Sequence, residues 1–220
     1  KDLIKLFKRL ITSLAIIVPL ILIIGLQNFW IFFLMISIVC LVAFFEWKKN
    51  NFRHPILWGF TLIFLYFWTT VNFIVASYAH SDVVSNISIF YLFFIFILNT
   101  AIFDSFAFFV GSNVGKNSIA PKISPNKTIE GLIGGFIGVI IFGFIICHLF
   151  GLNFWFIAIC IYGGFLAFFG DLLISFHKRE KGIKDTGSLL PGHGGILDRI
   201  DSHILAAPQM LLLAIFMGIL

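Results

Sequence analysis

The chain has 220 residues, 60% of them hydrophobic and only 11% charged, with a mean hydropathy of +1.07. Uncharged runs of 17 or more residues recur along it, the length that crosses a bilayer as helix, so an ordinary soluble globular domain is excluded. The formal net charge of +5 comes from Lys and Arg gathered in a few loops, which suits anionic lipid headgroups and needs no nucleic acid to explain it.

Lys1, Lys5, Lys8 and Arg9 precede an apolar run from Leu10 to Leu26, and only Gln27 and Asn28 separate it from a second, Phe29 to Phe45. This predicts a helical hairpin with a minimal outer turn. With Lys1 in place of Met, the numbering is expected to begin inside a longer product, and no cleavable signal pattern separates from the first run. Glu46, Trp47, Lys48, Lys49, Arg53 and His54 form a polar loop, with Trp47 and Trp58 expected at the membrane interface. The third run is Ile56 to Ala79, followed by a link from His80 to Ser88 without Lys or Arg. The fourth, Ile89 to Val110, carries Asn99 and Asp104 near its far end, and Gly111 to Glu130 is a second polar loop.

A glycine-rich fifth run, Gly131 to Phe150, and a sixth, Phe154 to Gly170, are joined by a tight outer turn. Gly134, Gly135, Gly138, Gly163 and Gly164 are expected to be close helix contacts. A charged stretch from Asp171 to Asp201 separates them from the seventh run, His203 to Leu220, which contains Pro208. The expected fold class is therefore all-α, a polytopic integral membrane bundle of about seven helices, with residues 1–220 as one membrane-embedded domain.

Charge gives the orientation. With alternating spans, residues 1–9, 46–54, 111–130 and 171–202 share one side, and all fifteen Lys and Arg lie there. The positive-inside rule makes that side cytoplasmic, so a bacterial inner membrane with cytoplasmic catalytic loops is the expected location.

The stretch from Asp171 to Asp201 holds five of the ten acidic and five of the fifteen basic residues. Asp171 and Ser175 are spaced to share a helical face that Lys178 and Arg179 extend, and Asp198 and Asp201 share another. Carboxylates beside cations at the membrane boundary suit Mg²⁺, which binds through one or two carboxylates plus substrate phosphates. The simpler alternative for Asp171 and Asp104 is an interfacial carboxylate paired with a lysine. His193-Gly194-Gly195 offers backbone that an anion can approach closely. In Ser124-Pro125-Asn126-Lys127-Thr128, Pro125 breaks the helix, Lys127 supplies a point charge, and hydroxyls lead into the next span as a phosphate cradle. Cys40, Cys147 and Cys160 lie in apolar runs as packing residues. His54, His80, His148 and His203 sit near span ends without ligand-spaced partners.

At this point the charged stretch resembles the signature of the phosphatidate cytidylyltransferases, also called CDP-diacylglycerol synthases. Ser175, Lys178, Arg179, Lys184, Asp185, Gly187, Leu190, Pro191, His193, Gly194, Gly195, Asp198, Arg199 and Asp201 stand at its places. Asp104 with Ala107, Gly115-Lys116, Glu46-Trp47, and the run from Ser124-Pro125 through Lys127-Thr128 to Glu130-Gly131 are also similar to the family. His177, Phe108 and Ser112 depart from it, and members are commonly longer at the amino terminus.

The resemblance implies condensation of CTP with phosphatidic acid, giving CDP-diacylglycerol and pyrophosphate with Mg²⁺ on the cytoplasmic face. It implies that Asp171 and Asp198 hold the metal, with Asp104, Asp185 and Asp201 as additional or supporting groups. Lys127, Lys178, Arg179, Lys184 and Arg199 would neutralise phosphates. Ser124, Thr128, Gly194 and Gly195 would position the nucleotide, and His193 would donate to a phosphate or orient one. A second, monovalent cation such as K⁺ and assembly as a homodimer stay open. So do a CTP-dependent polyprenol kinase and a cytidylyltransferase for another lipid, which the released product separates: CDP from a kinase, pyrophosphate from a cytidylyltransferase. A transporter predicts mid-span charges or repeated halves, and the sequence has neither.

Overall fold

The computed structural model describes residues 18–19, 21–23, 25–79, 88–190 and 194–218. Most of the first apolar run, the link from His80 to residue 87, and His193 lie outside the described residues.

Helix α1 (Phe29–Lys49) starts at Asn28, whose side chain accepts the N–H groups of Trp30 at 2.9 Å and Ile31 at 3.2 Å, an N-cap that satisfies donors the helix cannot. It runs past the expected end at Phe45 and takes Glu46 and Trp47 into its last turn. Trp47 is fully buried, its ring centroid 5.5 Å from Phe52 and 5.0 Å from His177. Pro55 opens a π-helical turn (Pro55–Phe60) into α2 (Thr61–Ala79), and α3 spans Ile89–Val114.

The loop after α3 departs from an all-helical chain. Strands β1 (Ser118–Ala120) and β2 (Ser124–Thr128) pair antiparallel, Ser118 with Thr128 and Ala120 with Ser124. Pro125 breaks helix in β2 and is tolerated there because a two-stranded ribbon has only edges. Thr128 then caps α4 (Ile129–Phe150), accepting the N–H of Gly131 at 3.1 Å. Glu130 folds back onto the N–H groups of Lys116 and Asn117, which fastens the base of the hairpin.

Helix α4 ends at Gly151, in the left-handed region at φ 65, where a residue without Cβ carries no steric cost. Helix α5 (Trp155–Glu180) continues ten residues past Gly170, as no breaker intervenes before Gly182 at φ 66. The first third of the charged stretch is therefore helical. A short α6 (Leu197–Ile200) and α7 (His203–Phe216) follow.

Five of these segments are long and apolar enough to cross a membrane: Phe29–Lys49, Pro55–Asn72, Ile89–Val114, Ile129–Phe150 and Trp155–Glu180. The described residues thus give five candidate spans, with α7, at 14 residues, shorter. Glycines let α3, α4 and α5 approach closely, as expected. A Cβ on Gly134 would lie 2.5 Å from Val110, on Gly135 2.7 Å from Phe103, on Gly138 2.6 Å from Phe106 and on Gly164 2.8 Å from Phe103.

Candidate active site

Where α3, α4, α5 and β2 converge, a cavity of about 340 Å³ opens. Strand β2 contributes Ser124, Asn126, Lys127 and Thr128; α3 contributes Phe103, Asp104, Ala107 and Phe108; α5 contributes Phe168 and Asp171. Asp198, Asp201 and Ser202 come from α6 and the turn after it. Carboxylates from three separate parts of the sequence thus share one pocket, whose other wall is apolar.

Lys127 is fixed in it. Its Nζ is 2.6 Å from Asp171 Oδ2, donates to the Phe168 carbonyl at 3.5 Å and stands 4.8 Å from the centre of the Phe168 ring. Ser175 donates to the other oxygen of Asp171 at 3.0 Å. The pairing is the one the simpler reading of Asp171 expected, yet pair and pocket coincide.

Asp104 accepts a hydrogen bond from Ser202 at 2.7 Å, and one turn earlier Thr100 contacts His203 Nδ1 at 2.7 Å. Thr100 lies in the middle of α3, so these two bonds draw the entry of α7 down to mid-helix depth. Asp201, half-buried in the same turn, lines the pocket beside it. Burial raises its carboxyl to about 7, the charge of Asp171 adds to this, and Lys178 and the Ser202 N–H offset only part of it.

Asp198 is held differently. Oδ1 accepts from Lys178 at 2.9 Å, while Oδ2 accepts the N–H of Thr186 at 2.7 Å, its hydroxyl at 3.0 Å and the N–H of Gly195 at 2.9 Å. Burial alone would raise this carboxyl, but the donors outweigh it, Gly195 foremost, and hold it below the ordinary range.

Among the described residues, no three His, Cys, Asp or Glu side chains are gathered closely enough to cage a metal alone. The pocket still fits a hard cation that shares its shell with substrate. Its coordinating atoms are oxygens, and Asp104, Asp171 and Asp201 line one pocket, where the charge of Asp171 raises the carboxyl of Asp201.

The sequence pattern of the Cytidylyltransferase family matches residues 51–217. The chain belongs to this family. It is 42% identical over 123 residues to the phosphatidate cytidylyltransferase of Thermotoga maritima, covering 50% of this chain and 44% of that protein. With the Haemophilus influenzae protein of the same name it shares 37% identity over 170 residues, covering 74% and 57%. With that of Bacillus subtilis it shares 34% over 188 residues, covering 83% and 67%. The chain thus spans 44% and 57% of the length of the first two relatives.

For a cytidylyltransferase-family chain the remaining signature residues are distributed unevenly. Arg179 is occupied by backbone carbonyls, of Ile123 at 3.1 Å and Ile183 at 3.0 Å, so it fastens the hairpin to the end of α5. Lys184 and Asp185 are exposed on the following loop and do not line the pocket. Arg199 lines a second, largely apolar cavity of about 320 Å³, together with Phe32, Met35, Phe93 and Ile97. Gly194 adopts φ 80, and a Cβ there would lie 2.6 Å from Asp198 Oδ2, so its glycine character serves a carboxylate contact.

Three residues given no role by the sequence complete the site. Glu46 and Thr186 are buried beside Asp198, and Glu46 accepts hydrogen bonds from Thr186, Ile196 and Leu197. The available signal was Glu46 itself, a carboxylate directly against an apolar run. Ser202, missed entirely, carries no distinguishing pattern.

Proposed function

We propose that this chain transfers the cytidylyl group of CTP to phosphatidic acid at the cytoplasmic face of a bacterial inner membrane, releasing pyrophosphate. The observation that carries this reading is the pocket in which Lys127 and four aspartates face an apolar wall of Phe103, Phe108 and Leu132. A phosphate-headed lipid needs both surfaces at once. The names of the relatives support the choice of substrates, and the gathering of Lys and Arg in the loops supports the side.

The reaction forms one P–O bond and breaks another. A lipid phosphate oxygen, already anionic at neutral pH, attacks the α-phosphorus of CTP, and the bond to the β-phosphate opens to release pyrophosphate. No strong base is required, so the protein's task is to bring two polyanions together and to stabilise the charge of the leaving group. Lys127 turns from Asp171 toward phosphate, with the Ser124 and Thr128 hydroxyls and the Asn126 amide beside it. Asp171, Asp104 and Asp201 would hold Mg²⁺, which when bound supplies charge neutralisation. Asp198 keeps Lys178, Thr186 and Gly195 in place beside them.

The test is release of pyrophosphate by the purified protein in detergent with CTP, Mg²⁺ and phosphatidic acid, run beside Asp171→Asn. Lipid-dependent release that collapses in the folded variant is expected. Release of CDP with a newly phosphorylated lipid would replace this reading with a CTP-dependent kinase. No product from folded wild type would overturn both.

A further inference from the structure

Glu46 lies before the stretch that matches the family pattern, residues 51–217, yet its carboxylate is buried at the opposite end of the sequence. Oε1 accepts the N–H of Ile196 at 3.0 Å, and Oε2 accepts the N–H of Leu197 at 2.8 Å and the hydroxyl of Thr186 at 3.0 Å. Asn50, one turn on, donates to the Glu46 carbonyl at 2.8 Å and to the Thr186 carbonyl at 2.6 Å. The end of α1 therefore grips the loop before α6 at both of its ends.

The loop is shaped around this side chain. A Cβ on Gly187 would stand 2.7 Å from Oε1, and a Cβ on Gly195 would run into Oε2 and the Thr186 hydroxyl. Two glycines of the signature are thus explained by close approach to Glu46, with no nucleotide needed. The Thr186 hydroxyl, which has one proton, touches both Glu46 Oε2 and Asp198 Oδ2 at 3.0 Å. One carboxylate lies on each side of the loop, and only Asp198 reaches the pocket.

We infer that Glu46 is a positioning residue: by holding Thr186 on one side and Ile196 and Leu197 on the other, it keeps Asp198, with its partner Lys178, in place at the pocket, without touching substrate itself. A buried carboxylate is costly unless its acceptors are filled. Filled by two backbone N–H groups and a hydroxyl, it fixes the backbone at Thr186 and at Ile196–Leu197, at the two ends of a segment with four glycines.

The kinetic arm of the test rests on the cytidylyl-transfer reading, and the exchange arm does not. Glu46→Gln keeps the volume but aims an amide NH₂ at backbone donors. Amide exchange at Thr186, Ile196 and Leu197 should accelerate about tenfold or more, the equivalent of one charge-assisted hydrogen bond. The kcat for pyrophosphate release should fall by a similar factor in protein of unchanged helicity. Thr186→Val, which removes only the hydroxyl, should act in the same direction, and the double variant should cost less than the sum because both remove one shared bond. A purely structural role would lower Tm and leave kcat and KM of the folded enzyme as in wild type, and that result overturns the inference. So does wild-type exchange in both variants. Should Glu46→Gln fail to fold, Thr186→Val decides alone. Should wild type release no pyrophosphate, the reaction reading falls and exchange still decides the positioning role.

Discussion

Lys178 and Asp198 form a buried ion pair, Nζ to Oδ1 at 2.9 Å, with side chains only 10% and 4% exposed. It joins the helical part of the charged stretch to α6 across the loop that Glu46 grips. Removing one partner leaves the other charge buried without compensation. Lys178→Met is expected to destabilise the protein by about 3 kcal/mol and Lys178→Met with Asp198→Asn by less, because the double change removes both charges. Thermal unfolding in detergent of the two variants beside wild type checks the order.

Lys127 separates activity from stability. Its pair with Asp171 is 18% and 28% exposed, so breaking it should cost about 1 kcal/mol or less. Its loss from a phosphate-binding pocket should cost about a hundredfold in kcat/KM. Lys127→Met is expected to unfold close to the wild-type temperature while losing most pyrophosphate release. A large fall in Tm with normal turnover would assign Lys127 to the fold instead.

Much of this was legible in the sequence because bilayer physics is one-dimensional: apolar runs of sufficient length must be helices, and Lys and Arg must lie between them. Ser124, Lys127, Thr128, Asp171, Asp198, Asp201 and Asp104 were all selected as site residues, and one pocket gathers them. What the sequence could not show was direction. Arg199 adjoins Asp198 in the chain, yet a single turn of α6 sends them to different cavities. Arg179 reads as a free cation until Ile123 and Ile183 are seen to present carbonyls to it. Gly195 reads as an anion-binding glycine until Glu46, more than a hundred residues away, is found against it.

Phe103 is the next residue to test, because it lines the pocket while lying between glycines of two other helices. A Cβ on Gly135 would come within 2.7 Å of its ring and one on Gly164 within 2.8 Å. Gly135→Ala should overpack this contact at about 1–3 kcal/mol and push the ring toward the pocket, raising KM for the lipid more than for CTP. Phe103→Leu in the same background should restore part of both. Kinetics at varied lipid mole fraction, with Tm alongside, separate packing from binding.

Asp201 makes the stability of the pocket depend on pH. Burial, with the charge of Asp171 added, raises its carboxyl from 3.8 to about 7 in the folded protein. A group whose folded pKa is raised contributes stability that is fully present below its unfolded value and is lost as pH rises through the folded value. Between those limits the folded state holds the proton more tightly than the unfolded chain, so ionising Asp201 works against folding. Wild type should lose stability relative to Asp201→Asn as pH rises from about 4 to about 8. Tm of the two proteins at each end of that range, without added metal, is the measurement. Mg²⁺ bound by the ionised carboxylate should recover the loss, raising Tm of wild type more at the alkaline end than at the acidic end, and raising it less in Asp201→Asn. A Tm difference between the two proteins that does not move with pH would show Asp201 to be ionised throughout, and the carboxylates of the pocket to be further apart in energy than in space.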